Sequence, residues 1–181
     1  AEGMRSRAAY KLEELIERDK LLRPGMVVVD LGAAPGGWSQ VVRRDLGSKG
    51  RVIAMDILDM PGIAGVDFIH GDFREDEAVS RLEALIDGAS VDLVLSDMAP
   101  NMSGVPLVDQ ARIMHLAELG LEFSKAHLKP EGVFLVKVFQ GTDYESFLRS
   151  MRETFKTVAV RKPDASRDRS AELYLLGRIL R

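Results

Sequence analysis

The sequence predicts an α/β fold, a mostly parallel central sheet with helices on both faces. Three observations carry that expectation. The chain has 181 residues, 46% apolar and 29% charged, which is the size and composition of one soluble domain with one core. Five short apolar runs alternate with longer stretches of helical periodicity, the pattern that buries parallel strands between helix layers. The first of these runs leads directly into a glycine-rich turn and then a helix, a connection that opens a cleft at the sheet edge.

The chain opens with a helix. Ser6 stands where a cap belongs, and Ala9, Leu12, Leu15 and Ile16 recur at helical spacing over about 12 residues. Pro24-Gly25 then turns the chain into the sheet. Strands are expected at 26–30, 51–55, 66–69, 91–96 and 132–139, apolar runs too short for typical helices. Helices are expected at 37–46, 75–86, 109–128 and 144–155, several with apolar residues three or four apart. The segments 158–161 and 172–176 can each pair at the sheet edge beyond the fifth strand, and 162–170, with Pro163 and alternating charges, reads as a loop. Residues 101–110, containing Ser103-Gly104 and Pro106, read as the connection after the fourth strand. No repeat, long linker or low-complexity tract divides the chain. Residues 1–181 are therefore expected to form one domain, with 1–20 as an N-terminal helical segment.

Composition removes several function classes. The absence of Cys excludes disulfides, thiolate metal sites and cysteine nucleophiles, including base methylation through a covalent cysteine adduct. His70, His115 and His127 lack metal-ligand spacing, so no metal is expected. No apolar run approaches the roughly 18 residues of a membrane span, and the N-terminus is charged where a secretion signal is apolar, so a cytoplasmic protein is expected. Lys+Arg 25 against Asp+Glu 28 gives a net charge of −3, which leaves the partner open because phosphate binding needs only local positive clusters. Arg5 and Arg7 beside the first helix form one such cluster, and Arg161, Lys162, Arg167 and Arg169 in the late loop form another.

The most informative run is Val27 to Trp38, a strand ending in Asp30 followed by Gly32, Pro35, Gly36 and Gly37. Small residues let a ligand approach the backbone, and the helix N-terminus adds unpaired N–H groups. Ala34 occupies the second glycine position of the dinucleotide pattern, and no Gly-Lys-Ser/Thr closes a phosphate loop. Asp30 beside the turn suits a cationic group better than a phosphate. Asp56 at the end of the second strand can accept from a ribose diol, and Asp72 after the third from an adenine amino group. Three acids along one edge fit S-adenosylmethionine, which carries a sulfonium and an ammonium but no phosphate. The plainer reading is a tight turn with Asp56 and Asp72 as helix caps. For Trp38, packing on the sheet and lining the cleft are equally open.

On the acceptor side, the fourth strand ends in Ser96-Asp97-Met98-Ala99-Pro100-Asn101, placing Asp97 where open α/β sheets hold ligands. The run lacks the Asn/Asp-Pro-Pro-aromatic arrangement associated with methylation of exocyclic amines. Lys137 lies within the otherwise apolar fifth strand, where its ammonium needs an acid or a polar cleft. Asp97 on the neighbouring strand is the natural partner, and snorkelling to the surface is the alternative. Composition and spacing alone connect neither Lys11 nor Glu172 to this pair.

Three segments together resemble the FtsJ family, the heat-shock ribosomal RNA 2′-O-methyltransferases. They are Asp30 to Gln40, Ser96 to Gly104, and Val136-Lys137-Val138-Phe139-Gln140-Gly141, and the likeness runs from about Arg5 to Arg178. The resemblance implies a Rossmann-like, S-adenosylmethionine-dependent methyltransferase fold with a final antiparallel strand. It places the family's Lys-Asp-Lys-Glu tetrad on Lys11, Asp97, Lys137 and Glu172, with Asp97 also facing the cofactor's methionine end. It further implies methylation of a uridine ribose in the A loop of 23S ribosomal RNA within the 50S subunit, without DNA, metal or membrane, by an expected monomer. Arg5, Arg7, Arg161, Lys162, Arg167 and Arg169 then become candidate RNA contacts. Family members usually carry a basic N-terminal extension, whereas this chain begins Ala-Glu-Gly before the first helix. Related enzymes for a tRNA or mRNA-cap ribose share the tetrad, and an idle RNA-binding assembly protein with the same fold is the non-enzymatic alternative.

Overall fold

The computed structural model describes residues 3–164 and 171–181. Its elements are α1 (Ala8–Asp19), β1 (Val27–Leu31), α2 (Gly37–Leu46), β2 (Arg51–Asp56), β3 (Val66–His70), α3 (Asp76–Ile86), β4 (Val91–Ser96), α4 (Pro106–His127), β5 (Leu128–Phe139), α5 (Tyr144–Thr154), β6 (Phe155–Arg161) and β7 (Glu172–Leu180). The strands lie in the order β3-β2-β1-β4-β5-β7-β6. The pairs among β1 to β5 are parallel, while β7 runs antiparallel to both β5 and β6. Both late segments therefore join the sheet, with the last one inserted between β5 and β6. No described helix is long and apolar enough to cross a membrane.

Two apolar layers flank the sheet. Val29, Leu31, Phe134, Val136 and Val138 pack on one face with Leu82 of α3, Leu121 of α4 and Phe147 of α5. Val28, Leu93, Leu95, Val133 and Leu135 pack on the other with Leu12 and Leu15 of α1 and Trp38, Val41 and Val42 of α2. Burying each large apolar side chain contributes about 2 kcal/mol, so both layers are needed to hold a sheet of this width. Strand periodicity then positions the site. Asp30 follows Val28 by two residues, Asp97 follows Leu95, and Lys137 follows Leu135, so all three extend the face covered by α1 and α2.

Three boundaries differ from the sequence expectation for identifiable reasons. α1 is capped by Arg7 without a side-chain bond, and Ser6 contributes its carbonyl to the Ala9 N–H instead of a hydroxyl cap. α4 starts at Pro106 because proline is well suited to a first helical turn, where its missing N–H costs nothing. β5 begins at Leu128, and the register shift between Val91 and Leu93 of β4 gives Pro130 a bulge in which no ladder donor is required.

Candidate active site

β1 lies between β2 and β4, and the chain leaves this point in opposite directions across the sheet. Such a switch point opens a crevice at the carboxyl ends of the strands. The glycine-rich turn is pinned there. The Gly32 and Ala33 N–H groups donate to the Met55 carbonyl at 2.9 and 3.0 Å, and the Asp97 N–H donates to the Leu31 carbonyl at 2.9 Å. Gly32 has φ +79°, and a Cβ there would lie 2.5 Å from the Asp97 carbonyl oxygen. Gly37 is also closely packed, since a Cβ there would run into the Ser6 side chain. Ser6 thus packs on the turn, which explains why it does not cap α1.

A cavity of about 240 Å³ opens beside this turn. Leu31, Gly32, Met55, Asp56, Phe73 and Met98 line it, together with Asp72 and residues 99–101. Asp56 accepts the Ala34 and Leu58 N–H groups at 2.8 and 2.9 Å, which fixes the carboxylate at the cavity wall with lone pairs remaining. Asp72 is gripped by Arg74, with Nη2 to Oδ2 at 2.6 Å, and that guanidinium holds its carboxyl below the usual carboxylate range. Apolar walls with a few fixed acceptors suit a nucleoside.

One sequence expectation for this cavity needs correction, and the geometry favours one of the two open readings of Trp38. Asp30 does not border it; the side chain is fully buried behind the turn, where Oδ2 accepts from Ser39 Oγ at 2.7 Å and Oδ1 has no partner among the described residues. Burial, with repulsion from Asp97 and Asp56, pushes its carboxyl up to about 7 despite the Ser39 bond. Trp38 packs under α1 rather than lining the cavity: its indole N–H donates to the Ala8 carbonyl at 2.8 Å, and its ring lies 5.9 Å from that of Tyr174. Pro35, Gly36 and Gly37 also stand outside the lining and shape the turn, and Asp97 stands outside it directly before Met98, which is part of it.

The buried Asp30 has a consequence for stability. A carboxyl whose folded value lies above its unfolded value binds more protons when folded, so stability falls as pH rises from about 4 through about 7. Asp30→Asn removes that ionisation. The variant is expected to match the wild type near pH 4 and to exceed it by up to about 4 kcal/mol at pH 8 in denaturant unfolding. A constant difference across that range would show that Asp30 ionises normally.

The four tetrad residues come together on the α1 side of the sheet. Lys137 Nζ lies 2.5 Å from Asp97 Oδ1, both side chains being 18% exposed. Lys11 on α1 donates to Glu172 Oε2 at 2.8 Å, and the deeply buried Tyr174 hydroxyl donates to the same oxygen at 3.4 Å. The β5–β7 register pairs Lys137 with Tyr174 and Phe139 with Glu172, so the antiparallel insertion of β7 delivers Glu172 to the face that holds Lys137. Burial pushes the Asp97 carboxyl upward and Glu172 adds to this, while Lys137 and Lys11 oppose them. These influences tie the four groups into one electrostatic cluster. It adjoins the cavity, whose wall continues directly from Asp97 through residues 98–101.

The predicted phosphate contacts are largely committed elsewhere. The Arg5 guanidinium donates to the carbonyls of Pro35, Pro61 and Gly62, clasping the glycine turn to the following loop. Arg161 makes a bidentate pair with Asp19, with Nη2 to Oδ1 at 2.8 Å, and Lys162 donates to the Glu172 carbonyl at 2.7 Å. These three serve the fold, correcting their reading as open RNA contacts. Arg7 is exposed, and Arg167 and Arg169 lie outside the described residues. Sequence reasoning missed Tyr174, although its position two residues after Glu172 puts both on one strand face. It also missed Asp109, which accepts from Ser103 Oγ at 2.8 Å and from the Ser103 and Gly104 N–H groups, ordering the loop after Asp97.

Comparison with known proteins gives this geometry a family. The profile of the FtsJ-like methyltransferases matches residues 4–180. The ribosomal RNA large subunit methyltransferase E of Dechloromonas aromatica is 73% identical over 180 residues, covering 99% of this chain and 88% of that protein. Its namesake from Xanthomonas oryzae pv. oryzae is 64% identical over 177 residues, covering 98% and 84%. A solved Plasmodium falciparum chain described as a ribosomal RNA methyltransferase superposes with a TM-score of 0.85 at 27% identity, covering 97% of this chain and 98% of that one. A family match across nearly the whole chain, on a sheet that gathers two lysines and two acids beside a nucleoside-sized cavity, shows that this protein belongs to the FtsJ-like methyltransferases.

Proposed function

We propose that this methyltransferase uses S-adenosylmethionine to methylate the ribose 2′-hydroxyl of a uridine in the A loop of 23S ribosomal RNA, acting on the 50S subunit as a cytoplasmic monomer. The observation that carries the reading is the ion pair between Lys137 and Asp97, the residue directly before the stretch 98–101 that lines the cavity. The cavity fits the cofactor: apolar side chains flank fixed carboxylates, and Gly32 of the turn forms part of its wall. Asp56 would hold the ribose diol, Asp72 the adenine edge and Asp97 the methionine end. When bound, S-adenosylmethionine supplies a methyl group already made electrophilic by its sulfonium.

The protein's remaining task is to place a weakly acidic hydroxyl and take its proton. Lys137, in its amine form, would accept the 2′-hydroxyl proton as the oxygen attacks in line, and the Asp97 carboxylate at 2.5 Å would hold the ammonium so formed. Lys11, steadied by Glu172, orients the hydroxyl and offsets negative charge developing on the oxygen. Tyr174 holds Glu172 in turn; burial and the nearby Asp97 and Glu172 push its phenol upward, so it remains a donor. The test is transfer of labelled methyl to undermethylated 50S subunits, with free 23S RNA and tRNA as competitors and the modified nucleotide mapped. Labelling of one uridine in the 50S particle is expected, and labelling of tRNA alone would overturn the substrate assignment.

A further inference from the structure

We propose that Asp30 is a charge-sensing residue of the cofactor site, losing its proton when the molecule bound there carries a sulfonium and regaining it when that charge is gone, so that it discriminates the methyl donor from the demethylated product. The inference rests on the reading that the cavity binds S-adenosylmethionine.

Asp30 is fully buried, and its Oδ1 atom has no hydrogen-bond partner among the described residues. The residues that follow it, Leu31 and Gly32, form part of the cavity wall, so the carboxyl stands one layer behind the ligand. The groups facing it are Asp56 from the end of β2, Asp97 from beyond β4 and the Ser39 hydroxyl from α2. Lys137 on β5 is engaged by Asp97. A charge on Asp30 is therefore opposed by burial and by two acids, and a single hydroxyl supports it. A purely structural partner for Ser39 needs no ionisable group, since Asn would fill the same space and accept the same bond. What Asp adds is a charge that can be switched.

The midpoint near 7 places that switch where small changes in local charge move it. A cation entering the cavity favours the ionised form, so binding the donor expels a proton to solvent. Once the methyl group has left, the thioether product is neutral at sulfur, Asp30 takes a proton back, and the electrostatic preference for the ligand disappears. Affinity for the donor should consequently rise with pH through the midpoint, and affinity for the product should not.

The experiment is calorimetric titration of the full chain with S-adenosylmethionine and with S-adenosylhomocysteine at pH 6, 7 and 8, in buffers of different protonation enthalpy. For the wild type, donor affinity is expected to rise up to about tenfold between pH 6 and 8, with release of about half a proton from Asp30 at pH 7. Asp30→Asn should remove that contribution, leaving the titrations of Asp97 and of the cofactor amine, and should leave the pH dependence of product binding unchanged. Ser39→Ala, which removes the bond steadying the carboxylate, should move the transition to higher pH and provides a second variant should Asp30→Asn fold poorly. Equal pH dependence for donor and product, or a donor profile unchanged in folded Asp30→Asn, would overturn the proposal. Failure of the folded wild type to bind the donor at any pH would instead overturn the cofactor assignment on which it rests.

Discussion

Lys137→Ala is expected to slow methyl transfer by about a thousandfold or more while leaving S-adenosylmethionine affinity nearly unchanged. The expectation follows from position. Lys137 shares its face of β5 with Val133 and Leu135, but its ammonium meets Asp97 where the apolar layer ends and the crevice begins. The residues assigned to the cofactor are Asp56, Asp72 and Asp97, so removing Lys137 leaves each of those side chains in place. Lys137→Arg separates two roles. Arginine keeps the charge and can pair with Asp97, but it cannot accept a proton at neutral pH. An inactive Lys137→Arg variant with normal cofactor affinity supports proton transfer by Lys137, whereas substantial activity would reduce the residue to electrostatic support. Single-turnover rates on preloaded enzyme, compared with equilibrium cofactor binding, distinguish these outcomes.

The second large effect is expected at Gly32. Its φ of +79° already disfavours any other residue, and the added carbon of Gly32→Ala would lie 2.7 Å from the Asp97 carbonyl carbon and from Met98 Cα. Both neighbours are backbone, so no side-chain rotation relieves the collision. The strand tip that carries Asp97 must shift, disturbing cavity and tetrad together. A loss of about 3 kcal/mol or more, with a fall in Tm of about 10 °C, is expected from thermal and denaturant unfolding. Methyl transfer and cofactor binding should both be lost in whatever fraction folds. Gly62→Ala is the matched control: a Cβ there meets nothing within 4 Å, and its expected effect is within about 0.5 kcal/mol. Comparable destabilisation by the two substitutions would contradict the packing argument.

The first five strands were legible because a parallel sheet covered on both faces leaves continuous apolar runs, and those runs stand out against amphipathic helices. The last two strands were visible as segments, but their order was not. Pairing depends on which edge of β5 is open, and short half-exposed strands such as β6 carry little of that information. Pro130 concealed the start of β5 because a proline usually argues against a central strand, and only the bulge makes it admissible.

The site divided along similar lines. Asp97 and Lys137 could be paired from neighbouring strand tips, and Asp56 from its place at the end of β2. Lys11 and Glu172 are 161 positions apart, and no local pattern joins them; the family resemblance did. Arg5, Arg161 and Lys162 were misread because a run of positive charge looks the same whether it faces solvent or clasps carbonyls and carboxylates of the fold. Asp30 stands at a strand end, and its depth could not be read from that position. The structure moves it from the cavity wall to the layer behind.

If the tetrad acts on a ribose hydroxyl beside the cofactor cavity, the transferred methyl must sit on a 2′-oxygen, and its chemical position in the product decides the matter. A methyl on a 2′-oxygen protects the adjoining phosphodiester from alkaline cleavage, whereas a methyl on a base does not. After labelled transfer to undermethylated 50S subunits and alkaline digestion, essentially all label should appear in a resistant dinucleotide that begins with uridine. Label recovered in ordinary mononucleotides would place the methyl on a base and contradict the account.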